Sequence, residues 1–253
     1  MREMINSPLE QFEIVRLIPV NIGLDISFTN ASLLMCLSVG CVVLCVRGVT
    51  IEGGGRLVPG RWQSILEGMY SLVVGMIYES VGKKGGEFVG KVFTLFLFIL
   101  VCNLIGLVPY SYTVTAQLII TFTLSLGVWI GKVIVGFRNH GIKLFGMFIP
   151  AGAPFEMVPF FVFIEILGFI IPLVSLAVRL FANMMSGHIL LKVLFGFAWS
   201  MMMAGGILMV VHVLPLGVLF LLLGLETAVA LIQAYVFTLL TCIYIGDMIS
   251  GGH

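Results

Sequence analysis

Two apolar segments near the C-terminus, Met157–Phe197 and Met201–Ile249, constrain this chain more than any other feature. The first is about 40 residues, or roughly 60 Å as α-helix, and the second is longer still. A perpendicular membrane span needs only about 20 residues. Each segment is therefore predicted to tilt strongly, bend or break. Pro159, Pro172 and Pro215 are candidate bend points, and Gly196, Gly205 and Gly206 flank a turn between the two segments. Composition agrees with a lipid environment. Of the 253 residues, 60% are hydrophobic and 10% charged, against about a quarter charged in a soluble domain.

The rest of the chain reads as shorter membrane helices joined by charged loops. Residues 1–27 form an N-terminal segment without the basic stretch of a secretory signal or the Arg/Ser-rich bias of a transit peptide. Phe28–Val46 is long enough for a first span. A glycine-rich linker, Gly53-Gly54-Gly55 among Glu52, Arg56 and Arg61, follows it. Over residues 62–81 Ile65, Leu66, Met69, Leu72, Val73, Met76 and Ile77 recur at helical steps, while Gln63, Glu67 and Glu79 interrupt them. That pattern predicts an amphipathic helix lying in the membrane interface.

Residues 92–137 read as a hairpin of two spans, Val92–Val108 and Val114–Phe137, joined by the uncharged Pro109-Tyr110-Ser111-Tyr112-Thr113. Lys83, Lys84 and Lys91 precede this hairpin, and Arg138, His140 and Lys143 follow it. The positive-inside rule sets both basic loops on one cytoplasm- or matrix-like face. The predicted fold is thus an all-α membrane protein with about five transmembrane helices and one interfacial helix. It forms a single polytopic domain, whose residues 155–249 make a long tilted hairpin.

The net charge of +1 offers nothing to nucleic acid. Cys36, Cys41 and Cys45 share one apolar run, Cys102 and Cys242 lie in others, and no CxxC pair occurs. A disulfide or zinc framework is not expected. No GxxxxGK[ST] loop is present, so any nucleotide chemistry belongs to partners. No cofactor is expected.

Ionisable residues inside a membrane cost about 2.5–3.5 kcal/mol each and mark functional sites by default. The penultimate segment holds Glu165, Arg179, His188 and Lys192; the last holds His212, Glu226 and Asp247. Ser175, Arg179 and Asn183 step by four and share a helix face, and Glu226 and Gln233 share a face of the other segment. One polar stripe is predicted to oppose the other. Carboxylates and imidazole can pass protons near neutral pH. A guanidinium cannot, so Arg179 between them acts as a barrier and as an attractor for a passing carboxylate. Plainer roles compete: Lys192 snorkelling, a structural His212, a solvated Asp247, or Arg179 paired with Glu165 or Glu226.

These residues resemble a family. Ser175-Leu-Ala-Val-Arg179-Leu-Phe-Ala-Asn183-Met-Met-Ser-Gly-His188 is similar to the signature helix of subunit a of F-type ATP synthases. Glu226-Thr-Ala-Val-Ala-Leu-Ile-Gln233-Ala-Tyr-Val-Phe resembles its last helix, and Asn103-Leu-Ile-Gly-Leu-Val-Pro109 the end of its earlier hairpin helix. The resemblance implies a non-catalytic stator subunit whose long hairpin lies against a rotating ring of c subunits, alongside peripheral-stalk and other membrane-sector subunits and lipid. Protons would be the transported ion.

The same resemblance assigns Arg179 to the arginine facing the ring and Glu165 to a half-channel on the matrix side. His188, Glu226 and Asn183 fall in the opposite half-channel, and Gln233 near the arginine. Asp247 and Ser175 match more loosely. The His188 and Glu226 pairing looks like mitochondrial members, which implies the mitochondrial inner membrane. Two other classes compete. A stand-alone transporter would show inverted repeats, and none is visible. An intramembrane hydrolase would need Ser186 or Ser200 beside His188 or His212, yet no GxSxG or HExxH occurs.

Overall fold

A computed structural model describes residues 12–19, 21–22, 24–25, 27–50, 58–108, 111–141, 146 and 157–250. The Gly53–Gly55 linker, Pro109, Tyr110 and Lys143 lie outside the described residues.

Short strands precede the first helix. β1 (Arg16–Ile18) pairs antiparallel with β4 (Phe28–Thr29), and β2 (Asn21–Ile22) with β3 (Leu24–Asp25). The first helix, α1 (Asn30–Thr50), accordingly opens two residues later than the apolar run suggests and runs four residues further. A reciprocal cap fixes its start. The Thr29 N–H donates to Ser32 Oγ at 2.9 Å, and the Ser32 N–H donates to Thr29 Oγ1 at 3.4 Å. Asn30 ties the strands to the helix, its Nδ2 donating to the Glu13 carbonyl at 3.1 Å.

α2 (Arg61–Val81) buries the stripe Val73, Met76 and Ile77 and leaves Trp62, Ile65 and Leu72 exposed. Gly82, at φ 72°, stops it, with its N–H returning to the Tyr78 carbonyl. A left-handed residue of this kind at a helix end is cheapest as glycine. A 3-10 segment, Gly82–Phe88, leads into α3 (Val89–Gly106), and a short 3-10 turn, Val114–Ala116, leads into α4 (Leu118–His140).

α5 (Val158–Ala204) is one helix of 47 residues, and α7 (Val213–Ser250) one of 38, with the one-turn α6 (Leu208–Val211) before it. Together α5 and α7 form the C-terminal hairpin. The turn falls at Gly205 and Gly206, both at positive φ, while Gly196 sits inside α5. The prolines divide in the same way. Pro159 and Pro215 occupy first helical turns, where the missing N–H has no intrahelical partner to lose. Only Pro172 is interior, where it removes the bond to the Gly168 carbonyl. Neighbouring carbonyls take side-chain donors from α4 instead. Trp129 Nε1 donates to the Phe169 carbonyl at 3.1 Å, and Ser125 Oγ to the Leu173 carbonyl at 2.6 Å.

Among the described residues, five stretches are long and apolar enough to cross a membrane: Asn30–Thr50, Arg61–Gly106, Leu118–His140, Val158–Ala204 and Met209–Ser250. Their outward faces carry large exposed apolar side chains such as Phe160, Phe163, Ile171, Phe220 and Leu221, a surface suited to lipid. The chain is a multi-pass, predominantly helical membrane protein.

Two compact units are distinguishable. The first comprises Met1–Val42, Phe98–Gln117 and Leu180–Ala234. Phe12, Ala116, Met184 and Ala230 pack together in its core. The second comprises Val43–Leu97, Leu118–Arg179 and Tyr235–His253. Its core draws on Val73, Ile77, Leu176, Ala177 and Phe237. Backbones approach closely within this unit, because a Cβ at Gly246 of α7 would meet the Ser80 carbonyl of α2.

Candidate functional site

In the first unit, the second half of α5 meets the first half of α7 through polar side chains. His188 Nδ1 lies 3.6 Å from Glu226 Oε1, with side chains only 13% and 6% exposed. Gly187 permits this approach: a Cβ there would lie 2.6 Å from Glu226 Oε1. One helical turn away, Asn183 Nδ2 donates to Gln233 Oε1 at 2.9 Å. Asn103 of α3, fully buried, donates from Nδ2 to the Ala230 carbonyl at 3.2 Å. Of the two stripes expected from spacing, Asn183 and Gln233 meet, while the contact of Glu226 is with His188, which lies off the Ser175–Arg179–Asn183 face.

Thr113 completes the pair. Its hydroxyl lies 3.0 Å from His188 Nε2 and donates to the Gly106 carbonyl at 3.3 Å. A hydroxyl has one proton. The hydroxyl therefore either donates to a bare Nε2 or, with its proton on Gly106, accepts from a protonated Nε2. In the second case Nδ1 of the neutral ring is bare and faces Glu226. Phe12 packs edge-on against the His188 ring, with centroids 6.3 Å apart, and Gln117 Nε2 holds the Phe12 carbonyl at 2.8 Å.

Several buried polar atoms of this unit have no hydrogen-bond partner among the described residues: both Glu226 oxygens, Gln233 Nε2, Asn103 Oδ1 and Thr115 Oγ1. Such groups are rare in folded proteins and call for water or a function. Lys192 is exposed, with its charge within reach of His188. His212 Nδ1 is paired closely with the Met209 carbonyl, a local helix-end contact.

In the second unit, Arg179 is exposed on α5. Its Nη2 donates to Ser175 Oγ at 3.4 Å, and its charge reaches Tyr244. No carboxylate of that unit pairs with it among the described residues. Glu165 on α5 and Asp247 on α7 are both exposed.

Sequence reasoning missed Lys132, which lies inside α4 at 7% exposure. Its Nζ sits over Phe169 at 4.3 Å from the ring centroid and over Tyr244 at 5.2 Å. Each cation–π contact is worth about 0.5–2 kcal/mol. The charges of Asp247 and Glu165 also act on it. A lysine within an apolar run was the available signal. Thr113 and Gly187 offered none, because a hydroxyl or a glycine in such a chain is unremarkable until its neighbours are known.

The ATP synthase A chain model matches residues 32–246. The chain is 46% identical over 247 residues to ATP synthase subunit a of Chondrus crispus, covering 97% of each chain. It is 47% identical over 251 residues to that of Marchantia polymorpha, covering 98% of this chain and 99% of the relative. For Pylaiella littoralis the identity is 48% over 247 residues, with 97% and 99% covered. Motif, helix architecture and near-complete alignment agree, and the chain belongs to the ATP synthase A chain family.

Proposed function

We propose that this chain is the stator proton-channel subunit of a mitochondrial F-type ATP synthase, seated in the inner membrane against a ring of c subunits. It is not an enzyme on its own. Two offset half-paths deliver protons to, and remove them from, a carboxylate on each ring subunit. The path on one side runs through His188, Glu226 and Asn183, with Gln233 near its inner end. The path on the matrix side runs past Glu165, with Asp247 beside it. Arg179, with Ser175 next to it, faces the ring between them. The peripheral stalk and other membrane-sector subunits hold the chain still while the ring turns.

The observation that carries this reading is the enclosed His188–Glu226 pair on the same helix as an outward Arg179 whose near neighbour is a hydroxyl. Glu226 and His188 exchange a proton through Nδ1, directly after a small side-chain shift or through one water. With the Thr113 proton on Gly106, Nε2 is protonated and the neutral ring offers its bare Nδ1 to Glu226. The unsatisfied oxygens and amides nearby suit a hydrated route. Arg179 stays charged throughout and admits no proton. It attracts an ionised ring carboxylate and favours release of the proton that carboxylate carries.

Arg179→Ala tests the reading in the intact complex. Proton-coupled ATP synthesis in reconstituted vesicles should vanish, while the complex assembles and the soluble part still hydrolyses ATP. Normal coupled synthesis by that variant would refute the proposal. The competing transporter reading expects solute uptake without any ring-forming partner on purification.

A further inference from the structure

The segment before the first span sinks one side chain and leaves its neighbours outside. From Glu13 to Pro19 every residue is exposed, among them the apolar Ile14, Val15, Leu17 and Ile18, while Phe12 is 9% exposed. The Phe12 ring packs with Met184 of α5, Ala230 of α7 and Ala116 of the 3-10 turn, and Met185 and Ile189 close against that cluster. Met184, Met185 and Ile189 flank His188 on α5, and Ala230 follows Glu226 by one turn on α7. The ring thus arrives beside the His188–Glu226 pair, edge-on to the imidazole with centroids 6.3 Å apart. All of these groups belong to the first unit.

The segment is tied down on both sides of its exposed turn. Gln117 Nε2 donates to the Phe12 carbonyl at 2.8 Å. Asn30, the first residue of α1, holds the other side. Its Nδ2 donates to the Glu13 carbonyl at 3.1 Å, and its N–H donates to the Val15 carbonyl at 3.1 Å. Its Oδ1 accepts from the Val15 N–H at 3.3 Å. These bonds fix the backbone from Phe12 to Val15, and a packed ring on a fixed backbone keeps one rotamer. The segment is a short strap whose inward side chain is Phe12.

The imidazole therefore has neighbours of three kinds. Thr113 meets Nε2 at 3.0 Å, and Glu226 lies 3.6 Å from Nδ1. Those contacts direct the nitrogens only while the ring stays in place, and Phe12 blocks the space beside it. We propose that Phe12 is a positioning residue of the His188–Glu226 relay: the strap presses its ring against the imidazole and keeps Nδ1 facing Glu226. This rests on the reading that the pair passes protons. The segment ahead of the first span is then part of the relay, and it also keeps bulk water from that edge of the imidazole.

The test uses the whole ATP synthase in phospholipid vesicles. Two quantities are read: ATP-driven proton uptake, and the rate at which diethyl pyrocarbonate carbethoxylates His188, followed by mass spectrometry of its peptide. His212, which lies outside the Phe12 cluster, is the reference in the same chain. Phe12→Ala should slow uptake and speed His188 labelling, each by roughly two- to tenfold, the range that one aromatic pair sets, with His212 labelling unchanged. Phe12→Leu refills most of the space and should bring both quantities most of the way back. Asn30→Ala cuts the far tie, leaves every side chain around His188 in place, and should move both quantities in the same direction by less. Unchanged His188 labelling in Phe12→Ala overturns the proposal. So does a rise shared equally by His188 and His212, which marks general loosening. If Phe12→Ala does not assemble, Asn30→Ala against the parent chain carries the same comparison. His188→Gln separates the two claims. Full proton uptake in that variant overturns the relay itself; loss there, with unchanged His188 labelling in Phe12→Ala, overturns only the role of Phe12.

Discussion

The two polar regions of this chain are built in opposite ways. Around His188 each group touches the next: Thr113 at 3.0 Å, Glu226 at 3.6 Å, and Asn183 on Gln233 at 2.9 Å one turn away. Around Lys132 the contacts are aromatic, Phe169 at 4.3 Å and Tyr244 at 5.2 Å from the ammonium, and Glu165 and Asp247 are exposed. The first region resembles a relay built from directional contacts. The second encloses one charge among aromatic faces, which set no directional bond. Mutations should therefore separate them: changes of shape should injure the first region more, and changes of charge the second.

Thr113→Val provides the sharpest break within the relay. It keeps the shape and removes the hydroxyl, so His188 Nε2 loses its partner. An unpaired buried donor or acceptor costs about 1–3 kcal/mol, and about tenfold slower proton translocation is expected. Thr113→Ser should restore most of the rate. The measurement is proton pumping driven by ATP in vesicles. Equal rates in Val and Ser variants would show that the hydroxyl does not order the ring, and the contrast between the two regions would lose its best support.

Gly187→Ala makes the same point by shape alone. The new Cβ would meet the Glu226 carboxyl, which is the far end of a flexible side chain and can swing aside. Assembly should survive while the carboxyl moves from His188, so a slowing smaller than that of Thr113→Val is expected. Infrared difference spectra of the Glu226 carboxyl would report its changed surroundings. An unchanged rate would mean that 3.6 Å is not a working distance.

Much of this was legible from the chain because charges are expensive in lipid. Arg179, His188 and Glu226 stand out in apolar runs, and spacing alone aligned Asn183 and Gln233 with them. The long hairpin was legible from segment length. What escaped has a physical reason in each case. Lys132 sits in an otherwise apolar span, and its aromatic cover comes from residues far along the chain. Thr113 sits in an uncharged link, where its hydroxyl carries no insertion penalty worth noticing. The β1–β4 and β2–β3 pairs are two or three residues long, too short for any alternation to register. Pro159 and Pro215 read as bends because periodicity could not locate the helix starts that make them harmless.

The smallest effect tests whether the second region tolerates loss of a contact that carries no charge. Ser125 Oγ donates to the Leu173 carbonyl beside Pro172, and it lines the cleft that holds Lys132. Ser125→Ala removes that bond and leaves every charge in place. Interhelical bonds of this kind average about 0.6 kcal/mol in membrane proteins. The thermal dissociation of the complex should therefore fall only slightly, and the pH profile of coupled synthesis should not move. A shifted profile would mean that α4 and α5 must be held in register beside Pro172, and the second region would then depend on shape much as the first does.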